Sequence, residues 1–155
     1  MTPERVWQEM DFWKLVTLLI AAFATYVAYR QWALGREKFK LDLFEKRFAV
    51  FAATRRLLTH VLAAANVSLE QLFEYRAGIA EATFLFDEDI TDYLKSIDEK
   101  ALRLRTTMEI MAPLPVGDAR TKAATEAGEL VQWLTDQLPE VKIRFSRYLK
   151  FRTWT

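Results

Sequence analysis

The hydrophobic pattern of the chain changes character once. From Leu15 to Tyr29 it reads LVTLLIAAFATYVAY, with no charge, proline or glycine. Beyond Gln31, apolar and charged positions interleave at helical spacing almost to the end. A run of 15 residues makes a helix of ~22 Å at ~1.5 Å per residue. That is short of the ~20 apolar residues that span a bilayer core. Phe12 and Trp13 lengthen it upstream, and Lys14 between run and flank can snorkel its ammonium to the headgroups. Tyr26, Tyr29 and Trp32 on one side, and Trp7 and Trp13 on the other, stand where interfacial aromatics gather.

The pattern thus predicts a transmembrane anchor over residues 12–32, built on Trp13, Leu15, Leu18, Leu19, Ile20, Phe23, Tyr26, Val27, Tyr29 and Trp32. A short extracytoplasmic tail, residues 1–11, would precede it. A buried core helix and a cleaved signal peptide are the alternatives. Ala22-Phe23-Ala24 resembles a cleavage site, but the apolar run continues past it, and Glu4, Glu9 and Asp11 accompany Arg5. An uncleaved signal anchor fits better. Arg30, Arg36, Lys38 and Lys40 follow the run closely, against Arg5 and Lys14 before it. Such asymmetry places residues 33–155 in the cytoplasm, with the N-terminus out. The same four residues form a collar that sets topology or meets anionic lipid headgroups.

The remaining pattern predicts helices throughout. Gln31 to about Ala65 continues the anchor helix, with Leu41, Phe44, Phe48, Phe51, Leu58, Leu62 and Ala65 as its seam. Gly35 is a weak point in it, at a cost of ~1 kcal/mol relative to Ala. Ser68-Leu-Glu-Gln71 is a capping box that opens a second helix, lined by Leu69, Leu72, Phe73, Ile79 and Ala80. A third begins near Asp87–Ile90, with acids at the positive helix end. Ile90, Tyr93, Leu94, Ile97, Ala101, Leu104, Met108 and Met111 repeat along it. Pro113, Pro115 and Gly117 stop it. Asp118 caps the next helix, with Ala123, Ala127, Leu130, Val131, Leu134 and Leu138 inward. A last segment, Glu140 to Trp154, carries Val141, Ile143, Phe145, Tyr148, Leu149, Phe151 and Trp154. No hairpin signal appears. The expected fold class is all-α: one N-terminal transmembrane helix continuing into a cytoplasmic antiparallel helical bundle.

Composition sharpens this. Hydrophobic residues make up 52% of 155, enough for a packed core and too many for a disordered chain. Four Gly and four Pro suit long helices. The net charge of +1 excludes a bulk polyanion binder, but the charge is uneven. Residues 70–100 hold nine acids against Arg76, Lys95 and Lys100; residues 140–152 hold Lys142, Arg144, Arg147, Lys150 and Arg152 against Glu140. These blocks face each other within one chain or between copies. The absence of cysteine suits a reducing compartment.

Candidate chemistry is sparse. Asp87, Glu88, Asp89 and Asp92 could offer oxygens to a divalent cation, yet neither the calcium-loop nor the di-iron spacing is present. Their plainer role is a helix start, with Phe84 and Phe86 anchoring the approach. His60 stands alone. Hydrolase, phosphate-loop, dinucleotide and zinc patterns are missing, so no catalytic residue, metal ligand or cofactor is assigned. The basic, aromatic stretch Lys142–Arg152 suits a closing bundle helix first, an anionic lipid surface second and single-stranded nucleic acid third.

The segments Tyr29-Arg-Gln-Trp32, Lys38-Phe-Lys-Leu-Asp-Leu-Phe-Glu-Lys-Arg-Phe48 and Phe84-Leu-Phe-Asp-Glu-Asp-Ile90, with Tyr148-Leu-Lys-Phe-Arg152 at the end, resemble uncharacterised small single-pass bacterial inner-membrane proteins. The resemblance implies that location and carries no activity. The expected function is a non-enzymatic, membrane-anchored scaffold whose partners are the lipid bilayer and either a second copy or a cytoplasmic protein. Alternatives are a membrane effector of a defence or toxin system acting by anchor assembly, and a metal-dependent enzyme using the acidic cluster of Asp87–Asp92.

Overall fold

The computed structural model describes the backbone of residues 3–150 and side-chain surroundings from residue 13 on, Glu37 excepted. Phe12, Trp7, Arg152, Phe151 and Trp154, all singled out above, lie outside those limits. Five helices account for the described chain, and no strand occurs among the described residues: α1 (Pro3–Ala64), α2 (Leu69–Ile79), α3 (Ala82–Leu85), α4 (Glu88–Met111) and α5 (Asp118–Leu149). The chain divides into two units, Met1–Asp42 and Leu43–Thr155.

In the first unit the helix carries the apolar run. Residues 3–11, expected to be a tail, belong to α1, and Pro3 suits a first helical position. Gly35 does not interrupt the helix. Large apolar side chains point outward on every side: Trp13, Leu15, Leu18, Leu19, Ile20, Phe23, Tyr26, Tyr29, Trp32 and Phe39 are exposed, and Val27 is half-buried. Thr17 and Thr25 turn their hydroxyls onto the carbonyls of Trp13 and Ala21, at 2.9 and 2.8 Å. That gives both hydroxyls a partner within the helix itself. Among the described residues, no helix is long and apolar enough to cross a membrane.

The second unit is a helical bundle with neighbours running antiparallel. Its core begins with Val50, Thr54, Leu57, Leu58 and Val61 on α1. This stripe differs from the expected seam. Leu41, Phe48, Leu62 and Ala65 are exposed, while Phe44 and Phe51 are half-buried. Leu58 of that seam is buried, and the bundle covers a face centred on Val50, Leu57, Leu58 and Val61. Ala65 ends α1 in the left-handed region, at φ 49, donating its N–H to Val61 O at 2.8 Å. Glycine or asparagine normally takes that position, because a Cβ there costs ~1–2 kcal/mol.

The Ser68 capping box forms as expected. Ser68 Oγ accepts from Gln71 N at 3.1 Å, and Gln71 Oε1 accepts from Ser68 N at 2.9 Å. Within α2 the buried residues are Leu72 and Tyr75, whereas Leu69 and Phe73 are exposed. Gly78 explains how α2 lies so close to α1: a Cβ there would stand 2.5 Å from Ala53 Cβ. Tyr75 crosses to α4 and donates its hydroxyl to Leu94 O at 3.1 Å. Burial pushes that phenol well above its ordinary pKa.

The four-residue α3 has no counterpart in the sequence pattern, being too short for a period to register. It buries Ala82 and Leu85. Phe84, paired above with Phe86, is instead 88% exposed, while Phe86 is buried. On α4 the expected seam is met by Ile90, Tyr93, Leu94, Ile97, Ala101 and Leu104, all buried, with Met108 and Met111 half-buried. The final helix differs in extent. Gly117, not Asp118, is its N-cap residue, and no side chain caps it. It then runs through Pro139 to Leu149 as one element. Proline costs ~3 kcal/mol or more in a helix interior. Here Leu134, Val141, Phe145 and Tyr148 are buried on both sides of it, and that packing outweighs the cost. Ile143 points outward.

Candidate functional site

The acidic middle and the basic end meet where α4 starts and α5 finishes. Arg147 Nη2 donates to both carboxylate oxygens of Asp89, at 2.8 and 2.7 Å. It also donates to the Tyr148 hydroxyl at 2.7 Å. Tyr148 passes its own hydrogen to Asp87 Oδ2 at 2.7 Å. Arg47 of α1 stands over the Tyr148 ring at 5.2 Å and the Phe86 ring at 5.8 Å, while its Nε donates to Leu85 O at 2.9 Å. Burial lowers the pKa of Arg47, with Tyr148 and Asp87 pulling the other way. Burial also raises that of Tyr148, and its bond to Asp87 adds to the rise. Beneath them, Phe86 meets Phe145 and Tyr148 edge-on, each at 5.1 Å, and Phe145 meets Phe51 at 5.7 Å. Three helices and the short α3 are thus tied at one end of the bundle.

This arrangement assigns Asp87 and Asp89 to ion pairing within the chain. Asp92 pairs with Lys95 at 3.3 Å. Among the described residues, no group of three or more His, Asp or Glu could hold a metal ion. His60 is exposed beside a shallow hollow with Arg56, Gln71 and Glu74. The basic residues of the closing segment separate. Arg147 belongs to the cluster just described, Arg144 bonds Glu140 at 2.8 Å, and Lys142 and Lys150 are exposed. Arg152 is not described. Of the collar residues, Arg36 stacks over Trp32 at 5.0 Å. Arg30 and Lys38 are exposed and Lys40 is half-buried.

A groove of about 550 Å³ runs between α4 and α5. Asp89, Asp92 and Tyr93 line it from α4, and Trp133, Asp136, Glu140 and Arg144 from α5. The Arg144 guanidinium lies 4.5 Å from the centre of the Tyr93 ring. Just beyond, Lys100 Nζ lies 4.7 Å from that of Trp133. The Tyr93 hydroxyl is buried and finds no hydrogen-bond partner among the described residues. Burial raises its pKa to about 12, Arg144 opposing and Glu140 adding to the rise. Sequence reasoning placed Tyr93 in the core and did not find this groove. The signal available was the pairing of acids and aromatics one turn apart on both helices, at Asp89, Asp92 and Tyr93 and at Trp133, Asp136 and Glu140.

Compared with known proteins, the chain matches no family model, no curated protein and no solved structure.

Proposed function

We propose that the protein is a non-enzymatic, membrane-anchored helical interaction module, held at the bacterial inner membrane by residues 12–32. The bundle, on the cytoplasmic side, would self-associate or hold a cytoplasmic partner there. The observation that carries this reading is the all-round exposure of large apolar side chains from Trp13 to Trp32. A helix apolar on every side needs cover, from a protein core or from lipid. In a surface helix of a water-borne domain, by contrast, one face would be polar.

The described run alone is short for a crossing. The reading therefore depends on the flanks. Phe12 would extend the apolar stretch, Lys14 and Arg30 would reach the headgroups along their aliphatic stems, and Trp13, Tyr29 and Trp32 would sit in the interfaces. The stacking of Arg36 on Trp32 suits a cation beside an interfacial aromatic. The non-enzymatic part rests on the ordinary structural work assigned to Asp87, Asp89 and Arg147.

The chain contains no cysteine, which makes a labelling test direct. Glu9→Cys and Glu99→Cys are expressed separately in bacteria and treated with a membrane-impermeant maleimide. The proposal expects carbonate-resistant membrane association, labelling of Glu9→Cys in intact cells, and labelling of Glu99→Cys only after permeabilisation. Recovery in the carbonate supernatant would overturn it.

A further inference from the structure

We propose that Trp32, Arg36 and Lys40 form a headgroup site for an anionic phospholipid on one face of α1. The proposal rests on the reading of residues 12–32 as a membrane anchor and adds the class of lipid held beside it. Tyr29, Trp32, Arg36 and Lys40 follow one another at spacings of three, four and four, so one helix face carries two aromatic rings and then two cations. The rings lie 6.2 Å apart between centres, and Trp32 is 57% exposed. At the cytoplasmic end of an anchor they would mark the interface, where tryptophan and tyrosine gather. The Arg36 guanidinium lies 5.0 Å from the centre of the Trp32 ring. Side chains on a helix lean toward its N-terminus, which here is the membrane side. Arg36 is thus held at the level of the indole, where phospholipid phosphates would lie.

Charge selects the lipid. In the bundle, Arg76, Arg103, Arg144 and Arg147 each meet a carboxylate. Arg36 is exposed, and among the described residues no carboxylate pairs with it. A guanidinium offers a phosphate two parallel N–H donors, which an ammonium does not. Stacking on the indole uses its face and leaves those edge donors directed outward. Lys40, one turn farther along the same face, adds its charge to the same headgroup. Phosphatidylcholine carries its phosphate beside an ammonium, which these two cations would repel. Phosphatidylglycerol carries the phosphate alone.

The test places the full-length protein in phosphatidylcholine vesicles that contain a minor fraction of one brominated lipid, phosphatidylglycerol or phosphatidylcholine. Bromine on the acyl chains quenches tryptophan fluorescence on contact. Subtracting the signal of Trp32→Phe in each background isolates Trp32. Its quenching should need about fivefold less brominated phosphatidylglycerol than brominated phosphatidylcholine, the effect of one basic residue near an anionic surface. Arg36→Gln should abolish that preference. Arg36→Lys keeps the charge but loses the planar fork, and should lose most of the preference. Arg55→Gln removes one charge from the exposed face of the bundle and should leave it unchanged. Circular dichroism establishes that each variant is folded. Equal quenching of Trp32 by the two lipids would overturn the site while leaving the anchor in place. A preference that survives Arg36→Lys in full would overturn it in favour of a diffuse basic collar. Quenching of Trp32 by neither lipid would overturn the anchor reading itself, and the site with it.

Discussion

Tyr148 donates its hydroxyl hydrogen to Asp87, 61 positions earlier in the chain, at 2.7 Å. The bond joins the last turn of α5 to the N-cap residue of α4. The Tyr148 ring is buried against Phe86 while Asp87 is exposed, so ring and hydroxyl make separable contributions. Tyr148→Phe keeps the ring and leaves an acid that water can solvate. It should cost about 0.5–1.5 kcal/mol. Tyr148→Ala also removes the contacts with Phe86 and the stacking of two arginines, and should cost about 3–5 kcal/mol. Urea unfolding of the full-length protein, followed by circular dichroism, separates the two. Equal losses would mean that the hydroxyl, not the ring, holds the end of the bundle.

This junction also shows how far the sequence could be read. The charge blocks announced that acids and bases would meet, but charge alone cannot tell an intrachain contact from one between copies. Folding of α5 back along α4 decides it, through Arg147 with Asp89 at one end and Arg103 with Glu126 at the other, 2.6 Å apart. Where a helix is packed by several neighbours, as α4 is by α2, α3 and α5, the repeat named the buried residues almost one for one. Where the surrounding helices cover a face only partly, as on α1 and α2, it misassigned Leu62, Leu69 and Phe73. Those are apolar and correctly spaced, but nothing in the bundle lies over them closely enough to bury them. The pattern set off a last segment from Glu140 on, whereas α5 runs through Pro139 to Leu149 as one helix, its packing outweighing the cost of the proline. The groove at Tyr93 was the least legible, because an unsatisfied hydroxyl is a property of two helices together.

Tyr93 gives a pH-dependent expectation. Its phenol titrates at about 12 in the folded chain, chiefly because it is buried, against ~10 in an unfolded one. The acid is raised, so its stabilising effect is fully present below pH ~10 and lost as pH climbs through 12. In that window the unfolded chain has released a proton that the folded chain still holds. The loss amounts to about 2–3 kcal/mol. Lysines titrate over the same range, so wild type must be compared with Tyr93→Phe. The variant should lose less stability between pH 10 and 12. Near neutrality it should be as stable as wild type or about 1 kcal/mol more so, since the group removed is a buried hydroxyl without a partner. Absorbance at the phenolate band, read against the same variant, should show one tyrosine missing near pH 12. A difference centred near pH 10 would contradict the burial argument.

Gly78 and Gly128 both lie inside helices and should respond oppositely to alanine. At Gly128 nothing stands within 4 Å of an added Cβ, so Gly128→Ala should gain close to the full helix-propensity difference, ~1 kcal/mol. At Gly78 the same change drives a methyl to 2.5 Å from Ala53 Cβ. Two backbones must then separate, at about 1–3 kcal/mol, and the net effect should be destabilising. Thermal or urea melts of the two variants check this directly. The double change Gly78→Ala with Ala53→Gly should recover most of the loss, because it restores the space between α1 and α2.

Leu19 distinguishes lipid from water around the first part of α1. It lies within the uncharged run and is 70% exposed. Leu19→Asp therefore removes few contacts with the rest of the chain. In water it should leave folding almost unchanged, within ~0.5 kcal/mol. Near a bilayer centre, aspartate costs about 2.5–3.5 kcal/mol, and the leucine contribution of about −0.3 to −0.6 kcal/mol is lost with it. For a run already short of a comfortable span, that penalty should shift much of the protein out of the membrane fraction. Glu99→Asp, a change of one methylene on an exposed bundle residue, serves as the neutral control. Quantitative immunoblotting of carbonate-washed membranes and supernatant measures the shift. If Leu19→Asp partitions as wild type does, the apolar surface from Trp13 to Trp32 is covered by protein and not by lipid.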